Sequence, residues 1–203
     1  VSFEASNELL DRLMPELPQC EPETGYLIVA EKLYNLCWNS RIQDACDLAD
    51  REIERCARIG NLRVKAWLER YLTAVRFFAG NMRETVACYE KSLAIPEEDN
   101  AYLDMHGVAI YAAKAYQMLG DRERSLTVLD DALEQMKHRG KYDEMWTGFL
   151  FAAEIHFQND FIDRSNGIEA SYEKTKKYFA LADEYAPLYR KTTYQQRWAR
   201  LQR

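Results

Sequence analysis

Apolar residues recur three and four apart along most of the chain, as in "AYQMLGDRERSLTVLDDALEQM" (115–136). No stretch alternates with the period of two that a half-buried strand shows, so the pattern predicts an all-α fold. The runs are punctuated in two ways. Short turns are expected at "FFAGNMRE" (77–84), "QMLGDRER" (117–124) and "HFQNDFID" (156–163). Longer joints are expected at "ARIGNLRV" (57–64), "AIPEEDNAYL" (94–103) and "KHRGKYDE" (137–144). Gly80 and Gly120 lie 40 residues apart, and Gly120 and Asn159 lie 39 apart. Tight turns alternating with looser joints predict an array of helix pairs, a tight turn inside each pair and a joint between pairs.

The pair around Gly120-Asp121 has Ala109, Ala112-Ala113 and Tyr116 before the turn and Ser125, Leu129 and Ala132 after it. Small residues at 113, 125 and 132 let helices approach closely, while Tyr116 and Leu129 fill the space between them. This resembles the W-x2-L-G-x2-Y…A-x3-F pattern of the tetratricopeptide repeat (TPR), with Ala109 at the Trp position, Ala112-Ala113 at Leu-Gly, Tyr116 at Tyr, Ser125 at Ala and Leu129 at Phe. The preceding pair keeps Leu72, Thr73, Tyr89, Ser92 and Pro96 but has Arg76 where Tyr is usual. The following pair keeps Ala152, Ile155, Phe179, Ala182 and Pro187 and carries an insertion, "FIDRSNGIEA". The chain therefore resembles TPR proteins over about 62–187, and more loosely from 26, where Lys32 would occupy the small-residue position. The resemblance implies a right-handed superhelix of antiparallel helix pairs, an α-solenoid. Its parts would be an N-terminal extension (1–25), units at 26–61, 62–101, 102–141 and 142–187 with the insertion at 161–170, and a capping or truncated helix (188–203).

The longer period is similar to that of the long-helix sensor repeats in bacterial transcription regulators of the MalT type within the LuxR group. The phrases that carry this likeness are "LADREIERCARIGNLRVKAWLERYLTAVRFFAGNMRETVACYEKSLAI" and "AYQMLGDRERSLTVLDDALEQMKHRGKYDEMW". It implies a regulatory segment lying between an ATP-binding module and a helix-turn-helix, sensing an inducer or a partner protein. Absence of an initiator Met fits the expectation of a piece from a longer chain.

Composition narrows the chemistry. With 47% apolar residues the 203-residue chain can bury a sizeable core, and its 30% charged residues fit a folded, soluble protein. No apolar run approaches eighteen residues, and "VSFEASNELL" lacks the basic and apolar regions of a secretory signal. A cytoplasmic protein is expected. Five scattered cysteines (Cys20, Cys37, Cys46, Cys56, Cys88) with no C-x-x-C read as reduced, partly buried helix residues. The net charge of −6 argues against a broad nucleic-acid face. Basic residues do gather in the tail, at Arg190, Lys191, Arg197, Arg200 and Arg203, where they suit the polar outside of a capping helix. His106, His138 and His156 are too far apart for a metal motif. Arg164 occupies a ligand position in the calcium-loop-like "NDFIDRSNG", and neither a phosphate-binding loop nor G-x-S-x-G occurs. The sequence predicts no enzyme, no cofactor and no metal.

In the family it resembles, the first helices line a concave face. Carried across, that face offers Trp67, Arg70, Tyr71 and Phe77 (with Phe78 beside it), then Tyr111, Lys114 and Gln117, then Trp146, Phe149 and His156. An apolar surface with a few polar anchors suits a protein, peptide or small-molecule effector. Lys114 is the leading anchor, because a cation on an apolar face needs a partner. Aromatic residues at helical spacing also build cores, so part of this set is expected to be packing. The carboxylate clamp of TPR co-chaperones would need Lys and Asn where this chain has Arg70, Ala74 and Tyr111. That reading drops. Two functions remain from sequence: the sensor segment of a transcription regulator, with self-association open, or a general interaction scaffold resembling peptide-pheromone receptors. Neither contacts DNA or membrane through this segment.

Overall fold

A computed structural model describes residues 3–94, 105–138 and 142–186. Among them are nine α-helices and one 3-10 turn, with no strand, as the periodicity predicts. Helix α1 (Phe3–Leu13) passes through the 3-10 turn Met14–Gln19 into α2 (Pro22–Trp38). There follow α3 (Ile42–Arg58), α4 (Leu62–Phe78), α5 (Met82–Ser92), α6 (Met105–Met118), α7 (Arg122–His138), α8 (Tyr142–Ser165) and α9 (Glu173–Tyr185). Two compact units divide the chain, Val1–Ala115 and Tyr116–Arg203, so that α6 contributes to both. Among the described residues no helix is long and apolar enough to cross a membrane.

The turns share one construction. After α2, α3, α4 and α6 a single residue takes the left-handed conformation: Ser40 (φ 60°), Gly60 (75°), Gly80 (76°) and Gly120 (86°). At each, two hydrogen bonds close the preceding helix. At Gly80 they run from its N–H to the Phe77 carbonyl (2.9 Å) and from the Asn81 N–H to the Arg76 carbonyl (3.0 Å). This is the Schellman arrangement, which satisfies carbonyls that the helix leaves without partners. The next residue then opens the following helix. Asn61, Asn81 and Asp121 each accept, through a side-chain oxygen, the N–H three residues on (3.2–3.4 Å). Helices α2, α3, α4 and α7 are each 17 residues long, so helix plus turn occupies twenty residues and a pair occupies forty.

Three sequence expectations change here. The segment 57–64 is no looser joint, since its turn at Gly60 is built like those at Gly80 and Gly120. The turn expected at 156–163 is absent. Helix α8 runs on to Ser165 and turns at Gly167 (φ 77°), because nothing in "FIDRS" breaks a helix, so half of the proposed insertion at 161–170 is helical. Third, the first pair opens at Pro22 and not at 26, and within the extension residues 3–19 form α1 and the 3-10 turn, both packed on α2. The Ser40 turn also moves the register of the first pair. Forty residues before Thr73 stands Leu33, wholly buried, so Leu33 and not Lys32 takes the close-packed position. The expected joints at 94–103 and 137–144 fall largely outside the described residues, as does the helix expected at 188–203.

Ser40 alone among these turn residues bears a side chain. A left-handed L-residue costs about 1–2 kcal/mol, partly offset by the greater chain entropy glycine loses on folding. Ser40→Gly is therefore expected to stabilise the protein by about 0.5–1 kcal/mol. An unchanged or lowered urea midpoint would mean that the serine makes a compensating contact.

In the first unit α4 packs on α2, α3 and α5. Its core includes Val29, Leu33, Ala45, Ala49, Trp67, Leu68 and Val75, all nearly inaccessible. Polar contacts tie helix α1 to α2. The buried ammonium of Lys32 meets Asp11 at 2.8 Å and Asn7 Oδ1 at 3.1 Å, and Asn35 Nδ2 donates to Ser6 Oγ at 2.9 Å. A buried lysine needs such partners, and α1 supplies them. In the second unit α8 packs on α7 and α9. Tyr116, Ser125, Leu129 and Ala132 are all buried, in the packing roles their spacing predicts. The overhanging end of α8 is pinned by a fork in which Arg122 donates to both oxygens of Asp163, at 2.5 and 2.6 Å.

Candidate binding face

The ten residues assigned to a groove separate into two groups. Tyr71, Phe77, Tyr111 and Trp146 are half-buried, while Trp67, Arg70, Lys114, Gln117, Phe149 and His156 are buried. Trp67 is wholly inaccessible, with Tyr26 edge-on at 5.2 Å and the Arg63 guanidinium over its ring at 4.8 Å. Arg70 is equally inaccessible. Its Nη2 donates to the carbonyl of Ser92 at 2.9 Å, so it caps the last turn of α5 from inside the α4–α5 interface. Phe149 and His156 turn toward α9. Phe149 lies 6.2 Å from Tyr178 and 5.6 Å from Tyr185, and the His156 imidazole lies parallel to the Tyr178 ring at 5.3 Å. Gln117 Nε2 donates to Asn159 Oδ1 at 2.9 Å, in the interior of the second unit. The physical reason is common to these cases: a first helix packs on neighbours on more than one side, and a repeat position does not say which side closes.

What remains accessible in the first unit is a continuous aromatic strip across α2, α4 and α6. Tyr34 lies 5.7 Å from Trp38, Trp38 5.5 Å from Phe78, and Phe78 5.5 Å from Tyr111. Phe77 completes it, 5.2 Å from Tyr111 and 6.0 Å from Phe78. All five rings are partly exposed, Trp38 at 36%. The pairs are tilted or edge-on, the geometry that ring quadrupoles favour at such distances. Tyr71 belongs to the same face. Burial first, then neighbouring Tyr111, Tyr26, Cys37 and Tyr34, hold its hydroxyl well above the ordinary tyrosine pKa. The strip can offer apolar area with phenol edges, at little entropic cost because its rings already fix one another.

Tyr34 and Trp38 are the residues that sequence reasoning missed. The signal was present: Trp38 precedes Phe78 by one forty-residue period. It was masked because a serine occupies the turn position that glycine marks in the later pairs.

His156 gives the second unit a pH dependence. Burial depresses its pKa below 6.5, and Lys174 and Arg122 act in the same direction against Asp130 and Asp160. The folded pKa is thus below the unfolded one. Stability is full above about pH 6.5 and falls as pH drops toward the folded value, because unfolding then takes up a proton. His156→Phe keeps a ring against Tyr178 and should flatten the difference in urea midpoint between pH 7.5 and 5.5. An unchanged slope would show that His156 does not titrate in this range.

No protein-family model matches the chain, and no curated protein or solved structure matches it.

Proposed function

We propose that the chain is a non-catalytic binding module, a TPR-like array of helix pairs that receives an effector or partner protein on its aromatic strip. The observation that carries this reading is the run Tyr34–Trp38–Phe78–Tyr111, half-exposed rings from three successive first helices sharing one face. Interface anchors are enriched in such rings, and a soluble fold gains nothing from leaving them open to water. The forty-residue repeat and the packing of α4 on α2 support a solenoid. A binding role also suits the thiols. Burial pushes Cys37 up to about 12 and raises Cys46, Cys56 and Cys88, leaving them protonated and poor nucleophiles at neutral pH. In the finer reading, the module is the sensor segment of a cytoplasmic bacterial transcription regulator of the LuxR group. The general TPR interaction scaffold is its alternative.

A displayed peptide library selected on this protein tests the strip. Enriched peptides should bind Trp38→Ala/Phe78→Ala at least tenfold more weakly, with the urea midpoint little changed. Failure to enrich any peptide, or equal binding to the variant, would overturn the strip as the recognition surface.

A further inference from the structure

The first unit also contains a cavity of about 420 Å³, at the opposite ends of α2 and α4 from the aromatic strip. Its floor is apolar, formed by Leu17, Tyr26, Val64 and Leu68, all buried. Two features of the sequence create the space. Pro15 and Pro18 lie in the 3-10 turn and Pro22 opens α2, so residues 14–21 stay out of regular α-helix, and Gly25 then lines the opening without a side chain. A Cβ placed on Gly25 would touch only Leu17 Cδ2, at 3.9 Å. A helix-interior glycine costs stability relative to alanine, so the room it leaves is not a by-product of good helix formation.

One cation borders this cavity. Arg55, on α3, donates through Nε to Glu52 Oε2 at 2.6 Å, which orients the guanidinium and leaves both Nη groups without a partner among the described residues. Arg51 also lies against Glu52, at 3.9 Å, so the three side chains retain net positive charge. A planar pair of donors at the border of an apolar cavity matches a carboxylate attached to an apolar body. The volume falls in the range of about 300–1,000 Å³ usual for small-molecule sites.

We infer that this cavity binds a small amphipathic monocarboxylate, its apolar chain against Tyr26, Val64 and Leu68 and its carboxylate on the Nη edge of Arg55. The site shares no residue with the aromatic strip, so the two readings stand or fall separately.

Isothermal titration with octanoate, and with 1-octanol as the uncharged counterpart, tests the inference. Wild-type protein should bind octanoate saturably and more tightly than octanol. A charge-assisted hydrogen bond of about 1.5–3 kcal/mol corresponds to a tenfold to hundredfold change, so Arg55→Gln should weaken octanoate by that factor and leave octanol within about twofold. Gly25→Leu should weaken both ligands at least tenfold by filling the cavity, whereas Gly25→Ala, for which there is room, should retain binding. Absence of saturable octanoate binding to the wild type would overturn the site. So would equal losses of octanoate and octanol in Arg55→Gln, because the arginine would then serve only Glu52. Should Gly25→Leu fail to fold, the octanoate-to-octanol ratio in Arg55→Gln decides alone.

Discussion

Replacing Trp67 with alanine is expected to destabilise the protein by about 3–5 kcal/mol, the range for emptying a large aromatic site in a core. The sequence offers Trp67 as a groove residue, and a groove tryptophan would cost far less. In the structure its ring is wholly inaccessible, between Tyr26 of α2 and the guanidinium of Arg63 one turn earlier on its own helix. Removing it takes away an edge-to-face pair and a cation–π contact together and leaves a cavity where α2, α3 and α4 meet. Total stabilities of about 5–15 kcal/mol make this a large fraction of the whole. Urea unfolding followed by circular dichroism measures it. A loss under about 1 kcal/mol, the usual ceiling for surface changes being near 0.5, would place the ring outside the core.

The second large effect concerns Gln117 and Asn159, and here a double substitution should outperform either single one. Their amides make one hydrogen bond, while Gln117 Oε1 and Asn159 Nδ2 are buried with no partner among the described residues. Asn159→Leu alone strands the whole Gln117 amide and should cost about 1–3 kcal/mol. Adding Gln117→Met removes every buried polar atom of the pair, and the double variant should regain wild-type stability or exceed it. The double-mutant cycle reads this as a strong favourable coupling. Additive losses would mean that an ordered water already satisfies the two free amide atoms. In that event the pair is worth keeping, and an apolar replacement is not.

Much of this architecture is legible in the chain. Gly80-Asn81 and Gly120-Asp121 are recognisable because one residue must be left-handed and the next must cap a helix, which few residue pairs do. Gly60-Asn61 carries the same signature, and only the expected alternation of turns and joints sets it apart as a longer connection. Ser40 defeats the reading altogether, since serine at a left-handed position leaves no local mark. That one residue hid the register of the first pair, and with it Tyr34 and Trp38. The extension of α8 through Asn159 illustrates a different limit. Asn159 looks like a turn residue in isolation, but Gln117 bonds it inside the unit, Thr175 donates to Asp160 at 3.2 Å, and Arg122 holds Asp163.

The sequence by itself determined the all-α class, the forty-residue spacing and the buried packing of Tyr116, Ser125, Leu129 and Ala132. These follow from helix periodicity and turn chemistry, which act over a few residues and are written locally. Tertiary structure decided which side of each first helix stays open. Trp67 and Phe77 lie on the same helix and carry the same kind of apolar ring, yet one is sealed against α2 while the other borders the strip. That difference is set by which neighbouring helix arrives at which angle, and burial on a helix with several neighbours is a property of their arrangement, not of the residue.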